Sequence, residues 1–266
     1  MDMVIRSPLH RVGLCLALIM STGSAVGQVP APTIAGRTIL AIGAHAGDME
    51  LTAGAVLLKQ RQQGDRVVLL HLTIGEGGNP KLSPEIYGVQ KRREAIAAAG
   101  ALGAEVVFGP YHDGELPNTD ESRRYVADII RQVQPTAIIT HWRESIHRDH
   151  ATTSAIVLDA VLLASLEGVK TAHPPHRGVR SVWFAENWED AENFRPYIYV
   201  DVSGIIPKWR EAVSSYEFVR GGISSFAYLD YYTALATVRG AEARRAQAVA
   251  FDIDPIGKRR VLDGVP

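Results

Sequence analysis

Two short blocks hold the residues that can do chemistry. Ala44-His45-Ala46-Gly47-Asp48 and His147-Arg148-Asp149-His150 offer three imidazoles and two carboxylates from points far apart in the chain. His45 and Asp48, separated by two residues at a turn, can present an imidazole and a carboxylate to one ion, with Gly47 easing the backbone. His150 supplies a second imidazole. Three such ligands with one position left for water make a hydrolytic zinc site, and a set of two histidines and a carboxylate accepts ferrous iron as well. Asp149 can accept a ring N–H and hold a histidine's orientation, which leaves His147 free to act on a substrate as acid or electrophile. Either block alone is read more plainly as a polar loop at a strand end. Their joint placement favours the metal.

The flanking residues must bring the blocks together. The apolar β-formers Thr38-Ile39-Leu40-Ala41-Ile42-Gly43 run into the first block, and Thr136-Ala137-Ile138-Ile139-Thr140 precede the second. From Thr38 onward strands alternate with helices. Strands are expected over 38–44, 66–74, 105–109 and 136–141, and helices over 50–62, 84–102, 120–133 and 150–166. Continuous apolar strands between helices imply a mostly parallel sheet covered on both faces, a Rossmann-like α/β fold. The site then belongs at the strands' carboxyl ends, where both blocks fall. After Gly168 the pattern changes, with strands near 181–185 and 197–202 and helices near 207–219 and 227–250. Residues 183–232 hold 13 of the 19 aromatics, which suits a C-terminal cap over the sheet or the wall of a pocket.

Composition bounds the function. At 266 residues and 46% hydrophobic, the chain can bury one sizeable core, and a single domain over residues 28–266 is expected. With 28 basic and 29 acidic residues and no basic stripe, no nucleic-acid partner is expected. Arg6 and Arg11, the short apolar stretch Val12–Met20 and the small residues Ala25-Val26-Gly27 read as a secretory signal peptide over residues 1–27. That stretch is too short to span a bilayer, so no stable membrane span is expected. Cys15, the one cysteine, lies inside it, and a mature chain without cysteine suits an oxidising compartment. Export to the periplasm or beyond is the expectation. Oligomeric state leaves no mark in the sequence.

The order of the motifs carries a resemblance. Ala44–Glu50 (AHAGDME), Thr73–Gly77 (TIGEG), the stretch from Arg93-Glu94 to Leu102-Gly103, Asp113–Leu116 (DGEL) and His147–His150 (HRDH) follow one another as in PIG-L/LmbE-like de-N-acetylases. Val200-Asp201-Val202 with Lys208, and Arg239-Gly240 with Ala250-Phe251, resemble that family's C-terminal half, so the likeness runs over residues 37–251. It implies a Rossmann-like fold, a zinc ion and hydrolysis of an acetamide on an amino sugar. It further implies His45, Asp48 and His150 as zinc ligands. His147 would assist the tetrahedral intermediate or protonate the leaving amine, and Asp149 would orient a histidine. One position departs. The family's usual first motif is A-H-P-D-D, whose first aspartate is the base that activates the attacking water. Here Ala46 stands for the proline and Gly47 for that aspartate. A positioned base contributes roughly 10²–10⁴ in rate. The sequence offers three substitutes: Glu50 one turn into the next helix, Glu76 in the glycine-rich turn after the second strand, and His147 serving as both base and acid.

Glu76, Asp113 and Trp142 are the expected substrate-binding residues, with Trp142 as a stacking wall for a sugar ring. Their plainer readings are a loop hydrogen-bonding group, a turn cap and a core tryptophan. The run Lys91-Arg92-Arg93 reads first as a solvated helix face and second as a contact for an anionic or hydroxyl-rich substrate. Trp188, Tyr228, Tyr231 and Tyr232 read equally as a carbohydrate cleft and as packing under the cap. Taken together, an exported, zinc-dependent hydrolase that removes an acetyl group from an N-acetylated amino sugar or related glycan is expected. The alternative is a metal-holding carbohydrate-binding protein that has lost its chemistry at position 47.

Overall fold

The computed structural model describes residues 36–190, 193–255 and 257–259, and the leader expected over residues 1–27 lies outside them. Seven strands form one sheet: β1 (Thr38–Gly43), β2 (Arg66–His71), β3 (Glu105–Phe108), β4 (Ala137–His141), β5 (Ser181–Ala185), β6 (Ile198–Asp201) and β7 (Ala248–Ile253), in the order β3-β2-β1-β4-β5-β7-β6. The first five strands are mutually parallel, and β7 runs antiparallel to both of its neighbours. The helices are α1 (Asp48–Thr52), α2 (Gly54–Gln62), α3 (Pro84–Leu102), α4 (Asp120–Val133), α5 (Arg148–Ser165), α6 (Ile206–Val213) and α7 (Tyr228–Glu242). This is the mostly parallel, Rossmann-like α/β fold that the alternation predicts.

The strands are apolar throughout because both faces are covered. Ile39, Ala41, Val67 and Leu69 pack one face against Met49, Leu57, Ala95, Leu102 and Trp209. Leu40, Ile42, Val68 and Leu70 pack the other against Ile130, Ile156 and Val157. Local signals set the helix ends. Pro84 opens α3 after Ser83, and Gly103 ends it at φ 71°. Thr119 and Ser122 form a reciprocal capping box on α4, and Gln134, at φ 54°, stops it ahead of Pro135.

Arg131, buried in α4, bonds the carbonyls of Leu163, Ala164, Leu166, Val169 and His173 and the Thr171 hydroxyl. One guanidinium thus ties the end of α5 to the loop that follows it.

The C-terminal region differs from expectation. The helix predicted over 227–250 is two elements: α7 stops at Glu242, Arg244 turns the chain at φ 56°, and Ala248–Ile253 is strand β7. Alanine-rich sequence conceals the change of period, whereas pairing with β5 and β6 imposes it. The helix expected over 207–219 likewise ends at Val213. The region therefore completes the sheet as well as covering it. No helix among the described residues is long and apolar enough to cross a membrane.

Candidate functional site

Strand order reverses between β1 and β4, since β2 and β3 lie beyond one and β5 beyond the other. At such a switch point the loops leaving adjacent strands diverge and open a crevice at the carboxyl ends. β1 leads through Ala44 and His45 to Gly47, which turns at φ 108° so that α1 can begin at Asp48. Asp48 Oδ2 accepts the His45 backbone N–H at 2.7 Å. Across the crevice, His147 caps α5 and its Nδ1 accepts the Asp149 N–H at 3.3 Å. With Nδ1 so engaged, a ring proton sits on Nε2, which makes His147 a hydrogen-bond donor at the cavity that it lines.

His45 Nδ1, Asp48 Oδ2 and His150 Nε2 form a triangle with sides of 3.3, 3.3 and 3.5 Å. Zinc–ligand bonds of about 2.0–2.1 Å at tetrahedral angles require edges of about 3.3–3.4 Å, so this donor set fits the ion. Three overlapping groups have ligand atoms within 4.8 Å of one another: His45-His147-His150, Asp48-His141-His150 and His45-Asp113-Asp149. Burial lowers the His150 pKa well below an ordinary histidine, with His141 adding to the effect. Burial pushes Asp48 up, but His150, His45 and His141 outweigh it and hold the carboxylate ionised. A neutral imidazole and an ionised carboxylate are the forms that ligate. Burial also works against a charged His45, yet Asp48, Asp113 and Asp149 raise its pKa well above the usual range. Metal entering this set would therefore displace a proton from His45.

The outer groups are ordered too. His45 Nε2 faces Asp113 Oδ1 at 3.0 Å and Asp149 Oδ2 at 3.4 Å. Asp149 is fixed by the Gly114 N–H at 2.8 Å, and Asp113 by the Gly77 N–H at 3.1 Å. Carboxylates behind a ligating imidazole fix its tautomer and orientation. On the far side, His150 Nδ1 lies 3.4 Å from Asn187 Nδ2 and 3.7 Å from Glu189 Oε2. The Tyr232 hydroxyl donates to Asn187 Oδ1 at 2.6 Å and holds that amide. His141 stacks on His150 at 3.9 Å, and its Nε2 accepts the Ala44 N–H at 2.9 Å.

All of this opens on a cavity of about 830 Å³ that is continuous with solvent. His45, Asp48, His147, His150 and Asp113 line it. Asp149, behind His45, does not, and neither do three other expected residues. Glu50 is wholly buried, accepts the Tyr216 hydroxyl at 2.6 Å and faces His71 at 3.3 Å, so it is a core acid and no candidate for a base. Glu76 turns to His112 Nδ1 at 3.0 Å and the Asp113 N–H at 3.2 Å, and lines a neighbouring groove. Trp142 is 2% exposed and packs edge-on against Phe184 and Phe194, as a core tryptophan does. The indole at the cavity is Trp188, joined by Tyr228 and Tyr232.

Sequence reading missed Asn187, Glu189, His141 and Phe218 at the site. His141 carried a signal, since it ends β4 as Ala44-His45 follows β1. Asn187, Glu189 and Phe218 carried none, because they lie in the C-terminal loops, where no period fixes direction. Lys91 is no solvated helix residue: it is buried and lines the cavity. Position 47 is also explained. A Cβ there would stand 2.8 Å from Phe218 Cζ, so the ring fills the space that a side chain at 47 would need.

Fold and crevice together define a Rossmann-like α/β protein with a His–Asp–His cluster at its switch point. Residues 40–161 match the model of the family described as PIG-L: GlcNAc-PI de-N-acetylase. It is 24% identical over 217 residues to the 4-oxalmesaconate hydratase of Pseudomonas putida, covering 79% of this chain and 82% of the relative. It is 25% identical over 192 residues to the diacetylchitobiose deacetylase of Thermococcus kodakarensis, covering 68% and 69%. The crystal structure of the 4-carboxy-2-hydroxymuconate hydratase of Pseudomonas putida shares the fold, with a TM-score of 0.76 over 86% of this chain and all 100% of that one, at 22% identity.

Proposed function

We propose that the chain is an exported, metal-dependent amide hydrolase that removes the acetyl group from an N-acetylated amino sugar or related glycoconjugate. The observation that carries this reading is the triangle of His45, Asp48 and His150 beside the His147 N–H at one open cavity. Zinc, or ferrous iron, held there supplies a Lewis acid for the acetyl carbonyl and acidifies the attacking water. Asp113 and Asp149 keep His45 in its ligating orientation. His147, with Nε2–H toward the cavity, donates a hydrogen bond to the developing oxyanion and keeps its proton. Gly47 cannot take a proton and Glu50 and Glu76 are turned away, so this reading assigns Glu189, the cavity carboxylate that does not face His45, to take the proton of the attacking water and pass it to the amine nitrogen as the C–N bond breaks.

A second reading has an observation of its own. The Pseudomonas putida relative that spans most of this chain is a hydratase, and addition of water across a carbon–carbon double bond uses the same Lewis acid with a different proton donor and acceptor. Zinc-loaded mature protein is therefore assayed for amine release from N-acetylated amino sugars, and in parallel for loss of ultraviolet absorbance by unsaturated dicarboxylates. Amine release that falls at least about 10²-fold in His147→Ala supports the first reading. Absorbance loss without amine release establishes the second, and binding without either turnover refutes both.

A further inference from the structure

Lys91 is the charged side chain of the cavity that the reading above leaves without a task. It lies on α3, is 7% exposed, and lines the same cavity as Asp48, Asp113 and His147. Its ammonium lies 4.9 Å from the centroid of the Phe218 ring and 5.8 Å from that of Tyr87. Among the described residues it makes no hydrogen bond, and no carboxylate oxygen comes within 4.0 Å of its Nζ. A buried ammonium is ordinarily paired, and two ring faces are a weak substitute for a counter-ion.

The backbone makes room for it. A Cβ at Gly75, which sits at φ 72°, would stand 2.7 Å from Lys91 Nζ and 3.2 Å from His45 Cβ. The ammonium therefore occupies space that any side chain at 75 would take, directly beside a candidate metal ligand. Phe218, filling the space above Gly47, backs it from the other side. Glycine at both positions thus gives the cavity a cation set against an aromatic wall.

The geometry points to Lys91 as the receptor for a carboxylate on the substrate, held on the α3 side of the cavity while the reacting group faces His45, Asp48 and His150. This inference rests on the cavity being the substrate site, as proposed above, and narrows the substrate class to acids. Under the hydrolase reading the substrate is an N-acetylated compound bearing a carboxylate; under the hydratase reading it is an unsaturated carboxylic acid. The single ammonium also stands in the fields of Asp48, Asp113, Glu50 and Glu94, so it suits one added negative charge better than the two of a phosphate dianion.

The test is binding, measured by calorimetry on the zinc-loaded full chain with matched neutral and acidic probes. The pairs are N-acetylglucosamine with N-acetylmuramic acid, N-acetylmethionine amide with N-acetylmethionine, and fumaramide with fumarate. At least one acid is expected to bind about tenfold to a hundredfold more tightly than its neutral partner, the range of a charge-assisted hydrogen bond. Lys91→Met, close in shape and free of charge, is expected to erase that difference, and Lys91→Arg to keep most of it. Equal binding within every pair, binding of no probe, or an acid preference that survives Lys91→Met would overturn the inference. Amine release from the same probes is scored separately. Acid preference without release keeps Lys91 and removes the hydrolase reading, and release without acid preference does the reverse.

Discussion

Restoring the aspartate at position 47 is the obvious repair, and the structure predicts that it fails alone. A Cβ there meets Phe218 at 2.8 Å to Cζ and 3.1 Å to Cε1, with Tyr216 Cζ at 3.7 Å behind. The ring has little freedom to retreat, since Tyr216 and Tyr228 flank it at centroid distances of 5.3 and 5.2 Å. The φ of 108° is a second obstacle, because side chains of L-residues crowd the backbone there. Strain of that kind costs about 1–3 kcal/mol, and overpacking about as much again. Gly47→Asp is therefore expected to lose about 2–6 kcal/mol from a total of about 5–15 kcal/mol, read as a lower urea midpoint at unchanged slope. Phe218→Ala relieves the packing part but not the φ part. The double variant should thus be more stable than the sum of the single effects by about 1–3 kcal/mol. Turnover should rise, if at all, only in the double variant. Gly47→Asp with parental stability, or a strictly additive double variant, would show that Phe218 does not hold this space.

Three further outcomes follow from the geometry. Asp48→Asn keeps the shape and removes the charge, so zinc per chain after dialysis should fall at least tenfold, and the drop in melting temperature that a chelator should cause in the parent should vanish. Burial lifts the Asp190 carboxyl to about 6, partly opposed by the Ser145 hydroxyl. Because this pKa lies above the unfolded value of about 3.9, the group favours the fold at low pH, and that contribution is lost as pH rises from about 4 to about 6. Asp190→Asn should flatten the stability profile over that window and gain about 1 kcal/mol at pH 7 after allowance for solvent screening. Equal pH slopes in the two proteins would refute it. Arg131→Met takes one donor from each of five carbonyls, four of which keep another, and should cost about 1–3 kcal/mol in urea unfolding, with zinc content unchanged.

The sequence made the N-terminal half of the molecule legible because each strand there is a continuous apolar run with a helix of clear period after it. The expected bounds of α3 and α4 coincide with those observed, since Pro84, Gly103, Thr119 and Pro135 punctuate them. The facing motifs could be placed at strand ends for the same reason, and His45, Asp48, His147 and His150 do meet. Side-chain direction was not legible. Glu50 lies two residues beyond Asp48 on the same short helix, yet points into the core because α1 presents opposite faces to cavity and sheet. Glu76 and Asp113 looked alike as polar loop residues, but one braces the other. β7 was hidden because its partners, β5 and β6, are distant in sequence, and alanine and valine suit either period.

The two halves of the ligand set come together only through β4 pairing alongside β1, from Ile39 opposite Ala137 to Ile42 opposite Thr140. A long loop must close before that pairing forms, and β2, α3, β3 and α4 all lie within it. A chain still emerging, with α5 unmade, holds His45 and Asp48 of the triangle but not His150. Completion of the triangle is thereby deferred to the stage of assembly at which the centre of the sheet is joined, and a fragment ending before His150 lacks one of its corners.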